Sequence, residues 1–123
     1  MRTDKPFFRL GTSSYIIPAE ILPNVEFLKD RVQDIELVLF ESDEYSNLPD
    51  AETLARLCEV AAAHDLTYTV HFPLDANVGS ADEAERAASV RKWIRVFELM
   101  EAVSPVGYLV HFHADTPHHN PPS

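Results

Sequence analysis

TYTVHF (residues 67–72) and GYLVHF (residues 107–112) are the two stretches that decide the fold. The first is rich in β-branched and aromatic residues and is ended by Pro73, which is the pattern of a buried strand. Both stretches contain Tyr-x-Val-His-Phe, forty residues apart, which is a reasonable length for a strand and its following helix. We therefore predict two equivalent strands that present His71 and His111 at equivalent heights.

The same patterns extend outward in both directions along the chain. Strands are predicted in residues 7–17 (FFRLGTSSYII) and in residues 35–40 (IELVLF). Helical spacing of apolar residues predicts three helices, from residue 23 to about residue 32, after a cap at Asp50, and after a capping box at residues 80–83. Residues expected on the apolar helix faces are Leu54, Leu57, Cys58, Ala61, Val90, Trp93, Ile94 and Phe97, with Cys58 in the core.

The predicted order is β-α-β-α-β-α-β, an α/β chain. Connections that carry a helix imply parallel strands with right-handed crossovers. Two architectures fit: a small open sheet with helices on its faces, or a parallel half-barrel, since a whole eight-stranded barrel needs about 250 residues. Residues 1–115 are expected to form this one domain, and residues 116–123 (TPHHNPPS), which are rich in proline, a flexible tail.

Composition excludes several classes of protein. The 123 residues carry 10 Lys and Arg against 20 Asp and Glu, a net charge of −10, which disfavours nucleic acid and anionic membranes as partners. A single cysteine cannot form an internal disulfide and fits a reducing compartment. No apolar run approaches the roughly 18 residues of a membrane span, and MRTDKPFFRL has no signal-peptide core. We expect a cytoplasmic protein.

Three histidines are the sharpest chemical feature: His71, His111 and His113 lie at or near the carboxyl ends of predicted parallel strands. Ligands gather at this edge in both architectures. Imidazole is the commonest metal ligand, so these rings are predicted to bind a divalent cation, Zn, Mn or Fe. Positions 111 and 113 of one strand point to the same face, so both rings would reach one site. The alternative is that each ring is a partly buried strand-end residue bonded to the backbone.

Glu41 is the candidate catalytic carboxylate. It ends the second predicted strand, where it would act as a general base or a further metal ligand. The alternative is an acidic loop in solvent. Residues 11–14 (GTSS) end the first strand with backbone and hydroxyl donors that suit a phosphate or another polar group. Nothing in them matches a P-loop or G-x-G-x-x-G, so an ordinary turn is the preferred interpretation.

The stretches RLGTSSYIIPAEILPNVEFL, DIELVLFESDEYSNLPD, DLTYTVHFPLD and GYLVHFHAD together resemble the amino-terminal half of the cobamide-remodelling phosphodiesterases. That family belongs to the xylose-isomerase-like TIM-barrel superfamily, with endonuclease IV and sugar epimerases. The resemblance covers about residues 8–115 and implies the first four strands of a TIM barrel. It also implies a divalent-metal site at the carboxyl-terminal mouth and hydrolysis of a phosphate ester of cobamides, small molecules of the vitamin B12 type. By position, His71 and His111 match the ligands that follow strands three and four, and Glu41 matches an acidic position after strand two.

Later strands of that superfamily supply further ligands, and the sequence ends just after the fourth predicted strand. The expectation is therefore an incomplete amino-terminal half of a metal-dependent phosphodiesterase. A homodimer that completes a barrel is a further possibility. Two alternatives stay open: a fragment resembling a sugar phosphate isomerase or epimerase barrel, and a non-catalytic, self-associating half-barrel.

Overall fold

A computed structural model of the chain describes residues 7–112. Within that range strands and helices alternate in the predicted order, β-α-β-α-β-α-β. The elements are β1 (Gly11–Ser13), α1 (Ile21–Leu28), β2 (Asp34–Val38), α2 (Ala51–His64), β3 (Thr67–His71), α3 (Glu83–Met100), a 3-10 turn (Glu101–Val103) and β4 (Tyr108–Leu109). The predicted tail, residues 116–123, lies outside the described residues.

The four strands form one parallel sheet in the order β1-β2-β3-β4. Each strand is followed along the chain by its neighbour in the sheet, always on the same side. Right-handed crossovers between strands in such an order place every helix on the same face of the sheet. Burial agrees with this arrangement, because alternate residues of β2 and β3 are fully buried while those between them are half-buried. A doubly wound sheet would instead reverse its strand order at a switch point. The predicted parallel half-barrel is therefore confirmed, and the open sheet with helices on both faces is not formed.

The core lies between this sheet and the helices. Ile35, Leu37, Tyr68 and Val70 supply the strand side of the core and are at most 1% exposed. The helix side consists mainly of Val25, Leu28, Leu54, Leu57, Val60, Val96 and Met100.

Cys58 is not part of this core, contrary to prediction. On α2 the buried residues are Leu54, Leu57 and Val60, which recur every three positions. Cys58 is exposed, and its thiol donates a hydrogen bond to the carbonyl of Ala102 at 3.0 Å. The helix is rotated so that its Leu-Leu-Val line faces the sheet, which leaves the neighbouring cysteine at the rim.

Of the two predicted helix caps, the one before α2 is confirmed and the one before α3 is wrong. Asp50 precedes α2, and its carboxylate accepts a hydrogen bond from the Thr53 amide at 2.8 Å. Ser80 does not cap α3, because the helix begins two residues later than the capping box requires. Asp82 takes that position and accepts from the Ala84 amide at 3.1 Å, while the Ser80 hydroxyl bonds to Glu85.

The predicted apolar face of α3 is only partly buried. Trp93 packs edge-on against Phe72, with ring centroids 5.8 Å apart, but Val90, Ile94 and Phe97 remain exposed. α3 flanks the last strand of the described sheet, and no further element of the described chain covers its outer side. None of the described helices has both the length and the hydropathy required to cross a membrane.

Candidate functional site: a histidine pair at the carboxyl edge of the sheet

Two predicted ligands meet at the carboxyl edge of the sheet. His71 is the last residue of β3, and His111 follows β4 by two residues. Their Nε2 atoms lie 3.1 Å apart, and their ring centroids lie 5.0 Å apart. Residues forty positions apart in the sequence are therefore brought into direct contact, as the repeated Val-His-Phe pattern predicts.

The expectation of equivalent heights is wrong. In the β3–β4 register His71 pairs with Leu109, so His111 lies two residues further along its strand. A displacement of two residues keeps both rings on the same face of the sheet, because side chains alternate with a period of two. Stagger between neighbouring strands is the property that allows a sheet to close into a barrel.

Hydrogen bonding determines the tautomer of His71. Its Nδ1 lies 2.8 Å from the carbonyl oxygen of Phe72, which can only accept a hydrogen bond. Nδ1 therefore carries the proton, and in the neutral ring Nε2 holds a lone pair directed at His111. Metal-binding histidines are oriented in this way, with the second ring nitrogen donating to a carbonyl or carboxylate.

The spacing of the two Nε2 atoms fits a divalent cation. With metal–nitrogen bonds of about 2.0–2.1 Å, a separation of 3.1 Å corresponds to an N–metal–N angle of about 100°. That angle lies between the right angle of an octahedral site and the tetrahedral angle. The same spacing also suits a direct N–H···N hydrogen bond between the rings, so the distance fits both arrangements.

The two histidines have no third ligand within the described range: residues 7–112 contain no group of three or more His, Cys, Asp and Glu side chains able to hold a metal ion. His113, the third predicted ligand, lies outside these residues, and its role stays a prediction. Two imidazoles supply half of the four ligands of a tetrahedral site. The described residues therefore supply at most two imidazole ligands to any one cation.

Glu41 occupies a separate network of contacts. One carboxylate oxygen accepts a hydrogen bond from the Ser46 hydroxyl at 2.6 Å, and the other lies 3.8 Å from the guanidinium of Arg95. Its backbone carbonyl accepts from the Lys92 ammonium at 2.9 Å, and Lys92 also pairs with Asp75. These contacts connect the loops after β2 and β3 to α3. The proposed roles of Glu41 as base or ligand stay predictions.

Two asparagines that the sequence reasoning missed hold the loops at this edge. Asn24 is fully buried in α1, and its Oδ1 accepts hydrogen bonds from the amides of Ile16 and Ile17, both at 2.9 Å. Asn47 makes the equivalent bonds after β2, accepting from the Phe40 amide and donating to the Val38 carbonyl. An asparagine among loop or helix residues is usually at the surface, so no local signal marks these two.

The predicted turn at residues 11–14 is a structural connection. Ser14 is buried, its amide donates to the Glu36 carbonyl at 2.8 Å, and its hydroxyl accepts from the Val38 amide at 2.9 Å. These bonds tie the end of β1 to β2. The Ser14 amide is therefore already engaged by β2.

A cavity of about 460 Å³ lies at the opposite edge of the sheet. Its lining includes Arg9, Gln33 and Asp65, which precede β1, β2 and β3. The guanidinium of Arg9 donates hydrogen bonds to the carbonyls of Gln33 and Asp65. These bonds connect the residues that precede the first three strands at the amino-terminal edge of the sheet. In barrel folds this edge serves stability rather than catalysis.

Comparison with known proteins adds no identification. No protein-family profile matches the chain, and no curated protein matches it at a significant level.

Proposed function

We propose that the chain contributes half of a divalent-metal site to a metal-dependent phosphodiesterase that acts on a cobamide. The observation that carries this proposal is the convergence of the His71 and His111 Nε2 atoms, 3.1 Å apart, at the carboxyl edge of a parallel sheet. Ligands bind at that edge in barrel enzymes. The choice of a phosphodiester and of cobamides rests on the resemblance of the four quoted stretches to that family. The single cysteine supports a cytoplasmic location.

Each residue has a defined part in the proposal. His71 and His111 would hold the cation through Nε2, and the Phe72 carbonyl keeps the His71 proton on Nδ1. When bound, a divalent cation would neutralise charge that develops on the phosphate and activate water for attack. Glu41 would accept a proton from the attacking water, and the hydrogen bond from Ser46 would hold its carboxylate in one orientation.

The test is turnover of a small phosphodiester, bis(p-nitrophenyl) phosphate, by the full chain with added Zn²⁺, Mn²⁺ or Fe²⁺. The proposal predicts metal-dependent release of p-nitrophenol that falls to background in His71→Ala and in His111→Ala. His64→Ala is the matched control, because His64 pairs with Asp30 beside the cavity at the opposite edge. Turnover that is unchanged in both site variants would contradict the proposal.

A second candidate is a non-catalytic half-barrel that binds a metal or a corrinoid. The observation that favours it is that the described residues offer only two converging ligands. This candidate predicts metal bound by the histidine pair with no turnover of the phosphodiester. Measuring bound metal and turnover on the same sample separates the two candidates.

A further inference from the structure

We propose that a second copy of this chain closes the half-barrel, with β4 of each copy pairing against β1 of the other. Within residues 7–112 the sheet has β1 at one side and β4 at the other, and both strands run in the same direction. A two-fold axis parallel to the strands brings each β4 beside the other copy's β1 in parallel orientation. Both helix layers stay outside, and the closed sheet has eight strands, the number in a TIM barrel.

The outer edge of β1 offers backbone groups for this pairing. The Leu10 carbonyl accepts from the Asp34 amide, and the Ser14 amide donates to the Glu36 carbonyl. Backbone groups of a strand alternate between its two sides, so those of Gly11 and Ser13 face away from β2.

The outer edge of β4 is arranged in the same way. The Gly107 carbonyl accepts from the amide of Val70 in β3, and the Leu109 carbonyl accepts from the amide of Phe72, the residue that follows β3. The backbone groups of Tyr108 therefore face the open side. Open rows of this kind are templates for pairing with another strand.

Both edges lack the charged residues that usually protect such strands. Residues 10–19 and residues 102–112 contain no Asp, Glu, Lys or Arg, although 24% of the chain is charged. Natural sheets block exposed edges with charges, especially lysine. The net charge of −10 therefore lies outside the two stretches that would pair, so no acidic side chain of one stretch would lie against an acidic side chain of the other.

Exposed apolar side chains accompany both edges. Those beside β1 are Phe8, Leu10, Tyr15 and Ile16, and those beside β4 are Val106, Leu109 and Phe112, with Val90, Ile94 and Phe97 on α3. Their exposed fractions run from 43% to 75%, and an aromatic side chain carries about 150–250 Å². The two edges together thus present on the order of 1,000 Å² of apolar surface per copy, compared with about 800 Å² per partner in a standard stable interface.

Closure would also complete the mouth where the histidine pair lies. The described part of one copy supplies two converging imidazoles. A two-fold axis along the barrel adds the second copy's pair at the same end. The association itself rests on the strand edges and does not depend on the proposed phosphodiesterase activity.

The first experiment is the mass of the unmodified full chain, measured by size-exclusion chromatography with light scattering at micromolar concentration. The proposal predicts twice 13.9 kDa. A monomer would overturn it. Larger open assemblies would also overturn it, because they require edges that pair without closing. Hydrogen exchange on the same sample should show that protection of the Ser13 and Tyr108 amides increases with protein concentration.

Three variants locate the interface. Ser13→Pro removes an outward-facing amide of β1, and Leu109→Lys places a charge at β4. Each variant should convert the dimer to a monomer, because both contacts between the copies pair a β1 with a β4. Ala55→Lys adds the same charge at an exposed position of α2, away from both edges, and should stay dimeric. Circular dichroism checks that each variant is folded. If an edge variant does not fold, the concentration dependence of hydrogen exchange in the unmodified chain decides whether the two edges pair. Dimers that persist in both folded edge variants would overturn the proposal.

Discussion

The buried amide of Asn24 allows the sharpest quantitative prediction. Its Oδ1 accepts from the amides of Ile16 and Ile17, and its Nδ2 donates to the carbonyls of Ile17, Ala19 and Glu20 at 2.9–3.2 Å. One side chain thereby provides hydrogen-bond partners for several backbone groups of the loop between β1 and α1. This loop lies at the edge of the sheet that carries the histidine pair. We predict that Asn24→Ala destabilises the protein and loosens this loop first.

The expected loss in the free energy of unfolding follows from the backbone groups that would lose their hydrogen-bond partner. The carbonyls of Ile17 and Glu20 keep a second described hydrogen bond, from the amides of Ala19 and Asn24. Three groups keep none: the amides of Ile16 and Ile17 and the carbonyl of Ala19. A buried polar group without a partner costs about 1–3 kcal/mol, and these groups lie close enough to the surface for water to reach them once the loop opens. The low end applies to each, which gives about 3 kcal/mol.

Urea denaturation of the wild-type chain and Asn24→Ala measures this loss as a shift of the midpoint at constant slope. Asn24→Asp is the companion variant: it keeps the acceptor, loses the donors and places a charge opposite carbonyl oxygens. Its penalty should shrink at acidic pH, because a protonated carboxyl group regains a donor. Hydrogen exchange should report faster exchange at Ile16 and Ile17. A loss below about 1 kcal/mol, with unchanged exchange at these amides, would refute the reasoning.

Two further predictions concern the scaffold. The buried Tyr68 hydroxyl donates to the Leu57 carbonyl at 2.7 Å, and burial raises its pKa, so Tyr68→Phe should cost about 0.5–1.5 kcal/mol in urea. Tyr108→Phe is the control, and equal losses in both variants would contradict this role. The hydrogen bond from the Thr53 amide lowers the pKa of Asp50 in the folded protein. This cap therefore stabilises the fold at pH values above the ordinary pKa of Asp, and its contribution disappears as the pH falls below about 4. Asp50→Asn should show a weaker loss of stability over that range, measured as urea midpoint against pH; identical pH profiles would contradict it.

The order of the elements could be predicted from the sequence because it depends on local patterns. Buried parallel strands are short apolar runs, as in residues 35–40, and Asp50 is followed by regularly spaced leucines. The meeting of His71 and His111 could be predicted for a related reason. Parallel strands end at a common edge, so residues at two strand ends lie near each other even without knowledge of the register.

What could not be predicted depends on how elements pack against one another. The two-residue stagger between β3 and β4 is a property of the whole sheet, and no residue of TYTVHF or GYLVHF encodes it alone. The rotation of α2 decides whether Cys58 or Val60 is buried, and both choices fit a helical period. Asn24 and Asn47 acquire their roles only when a loop folds back on them.

Metal binding by the full chain distinguishes a metal site from a pair of hydrogen-bonded histidines. Zn²⁺ bound after dialysis, determined by elemental analysis, should be near-stoichiometric in the wild-type chain and in His64→Ala, and should be lost when His71→Ala and His111→Ala are combined. The remaining histidines are the same in the wild-type chain and the double variant, so binding elsewhere cancels. Equal zinc in the wild-type chain and the double variant would contradict the assignment of these two imidazoles as metal ligands.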